Sequence, residues 1–307
     1  MSKIYLTHPI SNEGIQKITN AGHEILLTPT GAEGIITILT DKINEQYLNT
    51  VGPDLKIIAN CAAGFDNVSL EESKKRNIIV TNTPGVSSES VAEHAFGLIL
   101  NIAHRITEAD KFMRQGKFTG WDPKLFLGQD VVGKTLGIVG TGKIGSLVAK
   151  RGHLGHDMKI VYFDVKRNPD FEREFQATYY EKVEDVFAQA DFITLHVPLL
   201  PTTTHLVNEK TLKQMKPTAY LINTSRGPVV DEAALVQALQ NKQIAGAALD
   251  VFEFEPKLSP GLVELENVIL TPHIASATIE TRKKMEDLAI ANLLAVLAGQ
   301  PAITPVN

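Results

Sequence analysis

The chain has 307 residues, 43% hydrophobic and 21% charged, a composition typical of a globular protein of about two domains. Thirty Lys and Arg residues stand against 35 Asp and Glu residues, and the formal charge of −5 argues against nucleic acid as the main partner. The single cysteine, Cys61, excludes an intramolecular disulfide framework, and no metal is expected because the His, Asp and Glu residues lack metal-ligand spacing. We expect a cytoplasmic protein without membrane contact, because the longest apolar stretch, 95–106, is too short to span a bilayer and no targeting segment precedes it.

The first third of the chain alternates short runs rich in Ile and Val with segments of helical periodicity. Ser69 has the character of a helix N-cap, with Glu72 three residues on as its capping-box partner. Strands alternating with helices predict a mostly parallel sheet that is covered on both faces. The expected strands are 3–8, 23–28, 35–40, 56–61 and 78–83.

A long segment of helical periodicity, 87–116, follows and predicts one helix that connects this module to a second. The second half of the chain repeats the β/α pattern with enough strands for a complete six-stranded dinucleotide fold. The amphipathic tail 280–299 is expected to return to the first module, since the chain offers it no third core. The expected strands of the second module are 135–140, 159–164, 192–197, 219–224, 245–251 and 267–272.

A glycine-rich segment opens the second module. Residues 140–145 read Gly-Thr-Gly-Lys-Ile-Gly, which fits G-x-G-x-x-G, and an expected strand enters the motif while a helical pattern leaves it. The glycines let the backbone approach a pyrophosphate at the positive end of a helix. A glycine-rich turn without a ligand is the ordinary alternative, and the strand before the motif, the helix after it and the acid at Asp164 together make this alternative the weaker one. The expected cofactor contacts in the motif are Gly140, Gly142, Lys143, Ile144 and Gly145.

The next expected strand ends at Asp164, 19 residues after Gly145, close to the spacing of the acid that binds the adenosine ribose. A carboxylate there accepts hydrogen bonds from a 2′-hydroxyl and repels a 2′-phosphate. Lys166 and Arg167 follow closely and could offset part of that repulsion. The sequence therefore favours NAD, with NADP as the second choice.

Three polar residues, Arg226, Glu255 and His273, follow expected strands of the second module, at the edge of an α/β sheet where ligands gather. Alone, each has an ordinary alternative: a solvated loop arginine, a surface acid and a hydrogen-bonded loop histidine. Together they form a complementary set. Arg226 can bind a substrate carboxylate and polarise its carbonyl. His273 can donate a proton while a nicotinamide delivers hydride, and a neighbouring Glu255 would raise the pKa of that histidine.

With these residues in place, the chain resembles the D-isomer-specific 2-hydroxyacid dehydrogenases over essentially its whole length. The matching segments are GTGKIG with Asp164, HVPLLPTTTHLVN, INTSRGPVVDEAAL, ALDVFEFEP and LTPHIASAT. The resemblance implies that Arg226, Glu255 and His273 are the catalytic trio. It also implies two doubly wound α/β domains: a flavodoxin-like substrate domain (1–98 and 287–307) and an inserted NAD-binding Rossmann domain (99–286). Further cofactor contacts implied within these segments are Val197, Pro198, Thr203, Thr224 and Asp250.

Within the family the likeness is strongest to glyoxylate/hydroxypyruvate reductases, with 2-ketogluconate reductases alongside. Its carriers are AAGFDNV (62–68), GWDPKLFLG (120–128) and PHIASAT (272–278). The likeness implies a homodimer in which the tryptophan matching Trp121 reaches the neighbouring active site, although a core or interface anchor is an equal reading of Trp121. Asp164 departs from the NADP-preferring reductases, which often lack that acid. The implied substrate contacts are Leu39, Ala63, Gly64, Trp121 and Ser276.

The sequence therefore predicts an NAD(P)-dependent oxidoreductase that interconverts small 2-oxoacids and D-2-hydroxyacids, with reduction of glyoxylate, hydroxypyruvate or a related 2-oxoacid as the expected reaction. D-3-phosphoglycerate or D-lactate-type dehydrogenases are alternatives on the same scaffold. From a different class, NAD(H)-sensing corepressors share the fold and the trio, and would bind NADH with negligible turnover. A structural role is favoured for His94, on the connecting helix, and a packed thiol for Cys61.

Overall fold

Two separate parallel β-sheets organise the chain. The computed structural model describes residues 1–307, which divide into a first unit (1–87 with 277–307) and a second unit (88–276). The first sheet has five strands in the order β2-β1-β3-β4-β5, and the second has seven in the order β12-β11-β10-β9-β6-β7-β8. All pairings within both sheets are parallel, as expected for strands connected through helices. Both units are thus doubly wound α/β folds, which confirms the predicted fold class.

The first unit buries one apolar layer on each face of its sheet. Strands β3 and β4 lie in its middle and are buried at every position, which explains their unbroken apolar sequences. The C-terminal helix packs Ala289, Ile290 and Leu293 onto one face, with Ile57 of the sheet in the same cluster. Its strands and helices are β1 (Lys3–Leu6), α1 (Asn12–Asn20), β2 (Glu24–Leu26), β3 (Gly34–Thr37), α2 (Glu45–Val51), β4 (Ile57–Asn60), α3 (Leu70–Lys75), β5 (Ile79–Thr81) and α11 (Ile279–Leu297).

The second unit has the strand order of a dinucleotide-binding fold: from β6 the chain adds strands first on one side (β7, β8) and then on the other (β9 to β12), so the strand order reverses between β6 and β9. The loops that follow these two strands therefore flank the switch point, where α/β proteins bind ligands. Its elements are α4 (Ser88–Ala103), α5 (Ile106–Arg114), β6 (Thr135–Val139), α6 (Lys143–His156), β7 (Lys159–Phe163), α7 (Pro169–Phe175), β8 (Thr178–Tyr179), α8 (Val183–Gln189), β9 (Phe192–Leu195), α9 (Glu209–Leu212), β10 (Tyr220–Asn223), α10 (Glu232–Gln240), β11 (Gly246–Leu249) and β12 (Val268–Leu270).

The structure differs from the expected elements in two places. The second sheet has a seventh strand, β8, whose two residues pair with Val161 and Tyr162 and are too few to form a sequence pattern. The single helix expected over 87–116 is broken, because Arg105 adopts a left-handed conformation with φ +55°. At the break, Gln129 N–H donates to the carbonyl oxygen of Ala103, so a distant loop closes the end of α4.

The unit boundaries lie about ten residues from the predicted ones. Residues 98/99 fall inside α4 and residues 286/287 inside α11, whereas the units divide at 87/88 and 276/277. Both helices pack along their length in one core each: Ala92, Ala95 and Ile102 of α4 all belong to the core of the second unit.

None of the helices combines the length and apolar character that a membrane span requires.

Candidate active site

The glycine motif forms the turn from β6 into α6, and each glycine has a different surrounding. Gly140 has φ +96°, and a Cβ there would lie 2.7 Å from the carbonyl oxygen of His196. A Cβ on Gly145 would lie 2.1 Å from the carbonyl oxygen of Gly140. At Gly142, by contrast, no heavy atom lies within 4 Å of an added Cβ. The outer two glycines therefore pack the turn, and the middle one keeps its outer surface open for close approach.

The N-terminus of α6 is electrostatically distinct from that of every other α-helix in the chain. Its N-cap, Gly142, has no side chain to accept from the first-turn N–H groups, and its first turn holds no acid. All ten other α-helices carry Asp or Glu in the first turn. The positive end of α6 is therefore not neutralised from within the helix, and it fits a pyrophosphate.

Asp164 lies directly beyond β7, beside the glycine turn. Its Oδ2 accepts hydrogen bonds from the backbone N–H of Thr141 at 2.7 Å and from the Thr141 hydroxyl at 2.8 Å. Only one carboxylate oxygen is used in these bonds. The acid and the glycine turn are thus held together at the place where an adenosine ribose follows a pyrophosphate in this fold.

His273 and Glu255 form a hydrogen-bonded pair. His273 Nδ1 lies 3.0 Å from Glu255 Oε2, and Glu255 Oε1 accepts from the backbone N–H of Phe252 at 2.9 Å. Burial raises the pKa of Glu255, but the hydrogen bonds from His273 and Phe252 and the positive charge of Arg226 outweigh it, leaving the pKa below its usual value. An ionised carboxylate only accepts hydrogen bonds, so Nδ1 carries a proton and Nε2 is the nitrogen left for proton transfer.

Asp250 positions the backbone around His273. It is fully buried, Oδ1 accepts from the N–H of Ile274 at 2.9 Å, and Oδ2 accepts from the N–H of Ala275 at 2.8 Å. The carbonyl oxygen of Asp250 accepts from the N–H of His273, whose φ of +54° is rare for a residue with a side chain. A cofactor contact from Asp250 stays a prediction; the structure shows its carboxylate holding the His273 loop.

His94 joins the same network from α4. Its Nε2 lies 3.2 Å from the hydroxyl of Thr271 and 3.5 Å from Asp250 Oδ1. The Thr271 hydroxyl itself donates to Asp250 Oδ1 at 2.6 Å, so it accepts from His94. Burial raises the pKa of Asp250, but hydrogen bonds from His94, Thr271 and the two loop N–H groups lower it below its usual value. His94 thus supports a buried, ionised carboxylate beneath the His273 loop.

Arg226 is fixed by its neighbours in the loop after β10. The buried Asn223 accepts from the N–H and hydroxyl of Ser225 and donates through Nδ2 to the carbonyl oxygen of Arg226 at 3.0 Å. A Cβ on Gly227 would lie 1.8 Å from the carbonyl oxygen of Phe252, so this loop packs directly on the segment that carries Glu255. The structure therefore brings the predicted trio together on the loops after three adjacent strands, β10, β11 and β12.

The other predicted cofactor contacts lie around the same edge of the second sheet. Val197 and Pro198 follow β9, which neighbours β6. The hydroxyl of Thr203 donates to the carbonyl oxygen of Pro198 at 2.6 Å and so ties this loop to itself. Thr224 is buried, and its hydroxyl has no hydrogen-bond partner.

The predicted substrate contacts divide between the units. In the first unit, Leu39 lies half-buried after β3, and Ala63 and Gly64 follow β4. The carbonyl oxygens of Ala63 and Gly64 are held by the side chains of Asn82 and Asn60, at 2.6 and 2.8 Å. In the second unit, Ser276 is half-buried near the His273 loop and Trp121 is 85% exposed.

The sequence did not reveal the residues that position the trio. These are Asn223 and Gly227 around Arg226, and Asp250, whose carboxylate binds the loop of His273. Asn223 ends a buried strand directly before a Thr-Ser-Arg-Gly turn, and an asparagine in that place favours a side-chain turn onto the following backbone. The sequence shows Gly227 only as the glycine that follows Arg226, which indicates a turn but not a packing contact. The packing that requires it comes from a segment 25 residues later.

Comparison with known proteins identifies related chains. The family model for the D-isomer specific 2-hydroxyacid dehydrogenase NAD binding domain matches residues 96–275. The glyoxylate reductase of Thermococcus litoralis is 46% identical over 99% of this chain and 96% of its own length, and that of Thermofilum pendens is 42% identical over 99% and 94%.

Solved structures give the same result. A Thermus thermophilus protein of 38% identity superposes with a TM-score of 0.91, covering 99% of this chain and all of its own. The NADPH-dependent glyoxylate/hydroxypyruvate reductase of Sinorhizobium meliloti, solved with NADP and malonate, is 33% identical with a TM-score of 0.89, covering 99% of this chain and 96% of its own.

Proposed function

This chain belongs to the D-isomer specific 2-hydroxyacid dehydrogenase family, and on that premise we propose that it reduces glyoxylate, hydroxypyruvate or a related small 2-oxoacid. It is an NAD(P)-dependent oxidoreductase. The observation that carries the proposal is the His273–Glu255 pair on the same loop edge as Arg226, in the unit that holds the glycine turn. Relatives with glyoxylate reductase activity in their names support the choice of substrate.

The glycine turn, the start of α6 and Asp164 are proposed to hold the cofactor. Their fit rests on the open surface at Gly142, on the uncapped positive helix end and on the carboxylate hydrogen-bonded to Thr141. When bound, the nicotinamide supplies the hydride. The acid at Asp164 favours the 2′-hydroxyl of NAD over the 2′-phosphate of NADP, so we propose NAD as the preferred cofactor.

Arg226 is proposed to bind the substrate. Its Nη1 donates to the carbonyl oxygen of Ser225 at 2.8 Å, and a guanidinium has further N–H donors with which to bind a carboxylate, while its charge polarises a neighbouring carbonyl for attack by hydride. The backbone N–H groups of Ala63 and Gly64 are proposed as further donors, because they donate to no protein acceptor while their carbonyl oxygens are already held. Leu39, Ser276 and Trp121 remain proposed contributors to substrate selectivity.

His273 is proposed as the acid that protonates the carbonyl oxygen through Nε2. Glu255 keeps the other nitrogen protonated and stabilises the positive charge of the imidazolium. The hydrogen bonds of Asp250 to the surrounding loop fix the direction of the imidazole, so little reorientation is needed when the proton moves. In the direction of hydroxyacid oxidation, the neutral histidine accepts the proton.

A panel of 2-oxoacids assayed with NADH and with NADPH tests the proposal. We expect oxidation of the reduced cofactor with glyoxylate or hydroxypyruvate, and a large loss of kcat/KM in Arg226→Lys, which keeps the charge but removes the bidentate geometry. Arg151→Lys is the matched control, since Arg151 pairs with Glu89 outside the trio. Turnover of none of these oxoacids, with NADH bound, would contradict the proposed activity.

The apolar side chains exposed in segment 106–127 suggest that this surface binds a second copy of the chain. It exposes Ile106, Met113, Phe118, Trp121 and Leu127 within a short stretch, which is typical of an interaction surface. We therefore propose a homodimer, and a cytoplasmic location in which the free thiol of Cys61 stays reduced. Light scattering of the purified chain and of Trp121→Ala measures the mass directly. A monomer at assay concentration would contradict the dimer.

A further inference from the structure

The loop after β7 carries two cationic residues close to Asp164, Lys166 and Arg167. Arg167 forms an ion pair with Glu172. Arg167 Nε lies 2.8 Å from Glu172 Oε1, and Arg167 Nη2 lies 2.9 Å from Glu172 Oε2. The guanidinium and the carboxylate thus form a bidentate pair with two parallel N–H···O hydrogen bonds, the strongest arrangement for these two groups. Arg167 is therefore bound on α7, although its place in the sequence, three residues after Asp164, suggests a cation available to a phosphate.

The acid of this pair is the anchored partner. The Glu172 side chain is 18% exposed, whereas that of Arg167 is 66% exposed. Tyr162, a fully buried residue of β7, donates through its hydroxyl to Glu172 Oε1 at 2.7 Å. The hydrogen bonds from Arg167 and Tyr162 lower the pKa of Glu172 to about 2, so it is ionised throughout the neutral range. Glu172 is thus the fixed member of the pair, and the more exposed Arg167 is the member that can rotate.

The same hydrogen-bond network reaches the proposed ribose site. The N–H of Asn168 donates to the Tyr162 hydroxyl at 2.8 Å, and its side chain amide lies 3.4 Å from the Thr141 hydroxyl. That hydroxyl in turn donates to Asp164. Asn168, the neighbour of Arg167 in the chain, thus connects this loop to Glu172 through Tyr162 and to Asp164 through Thr141.

We propose that Glu172 is a determinant of cofactor selectivity, which it exerts by holding Arg167 away from the 2′-phosphate of NADP. The proposal rests on the proposed function, namely that the glycine turn and Asp164 bind the adenosine half of the cofactor. Asp164 disfavours the 2′-phosphate by charge, and Glu172 removes the cation that would compensate. Lys166 is exposed and makes no ion pair, so it is equally available whether or not Glu172 is present.

Direct binding of NAD⁺ and NADP⁺, measured by calorimetry, tests this role without turnover. Glu172→Gln keeps an acceptor for the Tyr162 hydroxyl but removes the charge that holds Arg167. We expect NADP⁺ to bind about tenfold more tightly to this variant, from one new charge-assisted contact, while the Kd of NAD⁺ changes less than about twofold. Adding Arg167→Ala to Glu172→Gln should abolish the gain. The ratio of kcat/KM for NADPH and NADH should follow the same order.

Asp170→Asn is the matched control, because Asp170 pairs with Arg173 on the same helix and contacts neither Tyr162 nor Arg167. It should leave both affinities unchanged. Unchanged NADP⁺ affinity in Glu172→Gln overturns the proposal, and so does a gain that survives Arg167→Ala, since the charge change alone would then explain it. Failure of both nucleotides to bind the unaltered chain would contradict the proposed function itself, and the inference with it.

Discussion

Two histidine–carboxylate pairs take their acids from the segment that follows β11, and their comparison separates a catalytic arrangement from a structural one. His273 pairs with Glu255 at 3.0 Å, and His205 pairs with Glu253 at 2.6 Å. Both histidines have positive φ, +54° and +51°. Both pairs are hydrogen-bonded and both histidines have a strained backbone, so neither of these features identifies the catalytic pair.

The surroundings of the two acids differ. Glu253 is tied to α10, because Oε2 accepts from the N–H of Glu232 at 3.1 Å and its own N–H donates to the Glu232 carboxylate. Glu255 is bound only to its own loop and to His273, and it lies within the field of Arg226. A His–Glu pair is a candidate acid–base unit when a cation that can bind substrate lies beside it. It serves as a structural cross-link when its acid is already hydrogen-bonded to another element of the fold, as Glu253 is to α10.

Truncation of the two histidines gives the largest expected contrast. His273→Ala removes the proposed proton donor and should lower kcat/KM for 2-oxoacid reduction by about 10²- to 10⁴-fold. His205→Ala is the matched control and should cost less than about threefold in the same assay. Comparable losses in both variants would show that a shared structural effect, rather than proton transfer, connects them to activity.

Neutralising the two acids should separate activity from stability. Glu255→Gln keeps the shape of the pair but removes the charge that stabilises the imidazolium, and we expect kcat to fall about 10- to 100-fold. Glu253→Gln should leave kcat nearly unchanged and lower the free energy of unfolding by about 1–3 kcal/mol, because it weakens charge-assisted bonds to α10 and His205. Steady-state kinetics and urea unfolding of both variants make the comparison, and a reversed pattern would exchange the two roles.

His94 offers a smaller effect on one pair only. It supports Asp250, which holds the loop of His273 and not that of His205. His94→Asn should lower kcat about twofold to tenfold with little change in cofactor affinity, because it loosens the loop without touching the cofactor. His94→Gln, which can still donate to Thr271, should recover part of the loss. A change confined to the cofactor Kd would place His94 in the binding site instead.

Much of this arrangement could be predicted from the sequence. Strands of a parallel sheet form short runs rich in apolar residues, so eleven of the twelve strands can be predicted, and the trio can be predicted because each member lies in the segment that follows a strand. What could not be predicted depends on contacts between distant segments. At the break after α4, the backbone N–H that binds the end of the helix comes from Gln129. The loop of Arg226 is positioned by the packing of Phe252 against Gly227. The Arg167–Glu172 pair joins a loop to a helix at a spacing of five residues, which is not a helical spacing.

The pH dependence of stability should show the smallest effect. The pKa of Glu255 lies below its ordinary value of 4.5, so ionisation of this group stabilises the folded chain. That contribution is complete above the pKa of the unfolded state and is lost as the pH falls through the lower pKa of the folded state. The difference in unfolding free energy between the unaltered chain and Glu255→Gln should therefore be constant near neutrality and shrink below about pH 4.5. A difference that grows on acidification would mean that burial, rather than the bonds from His273 and Phe252, dominates the carboxylate.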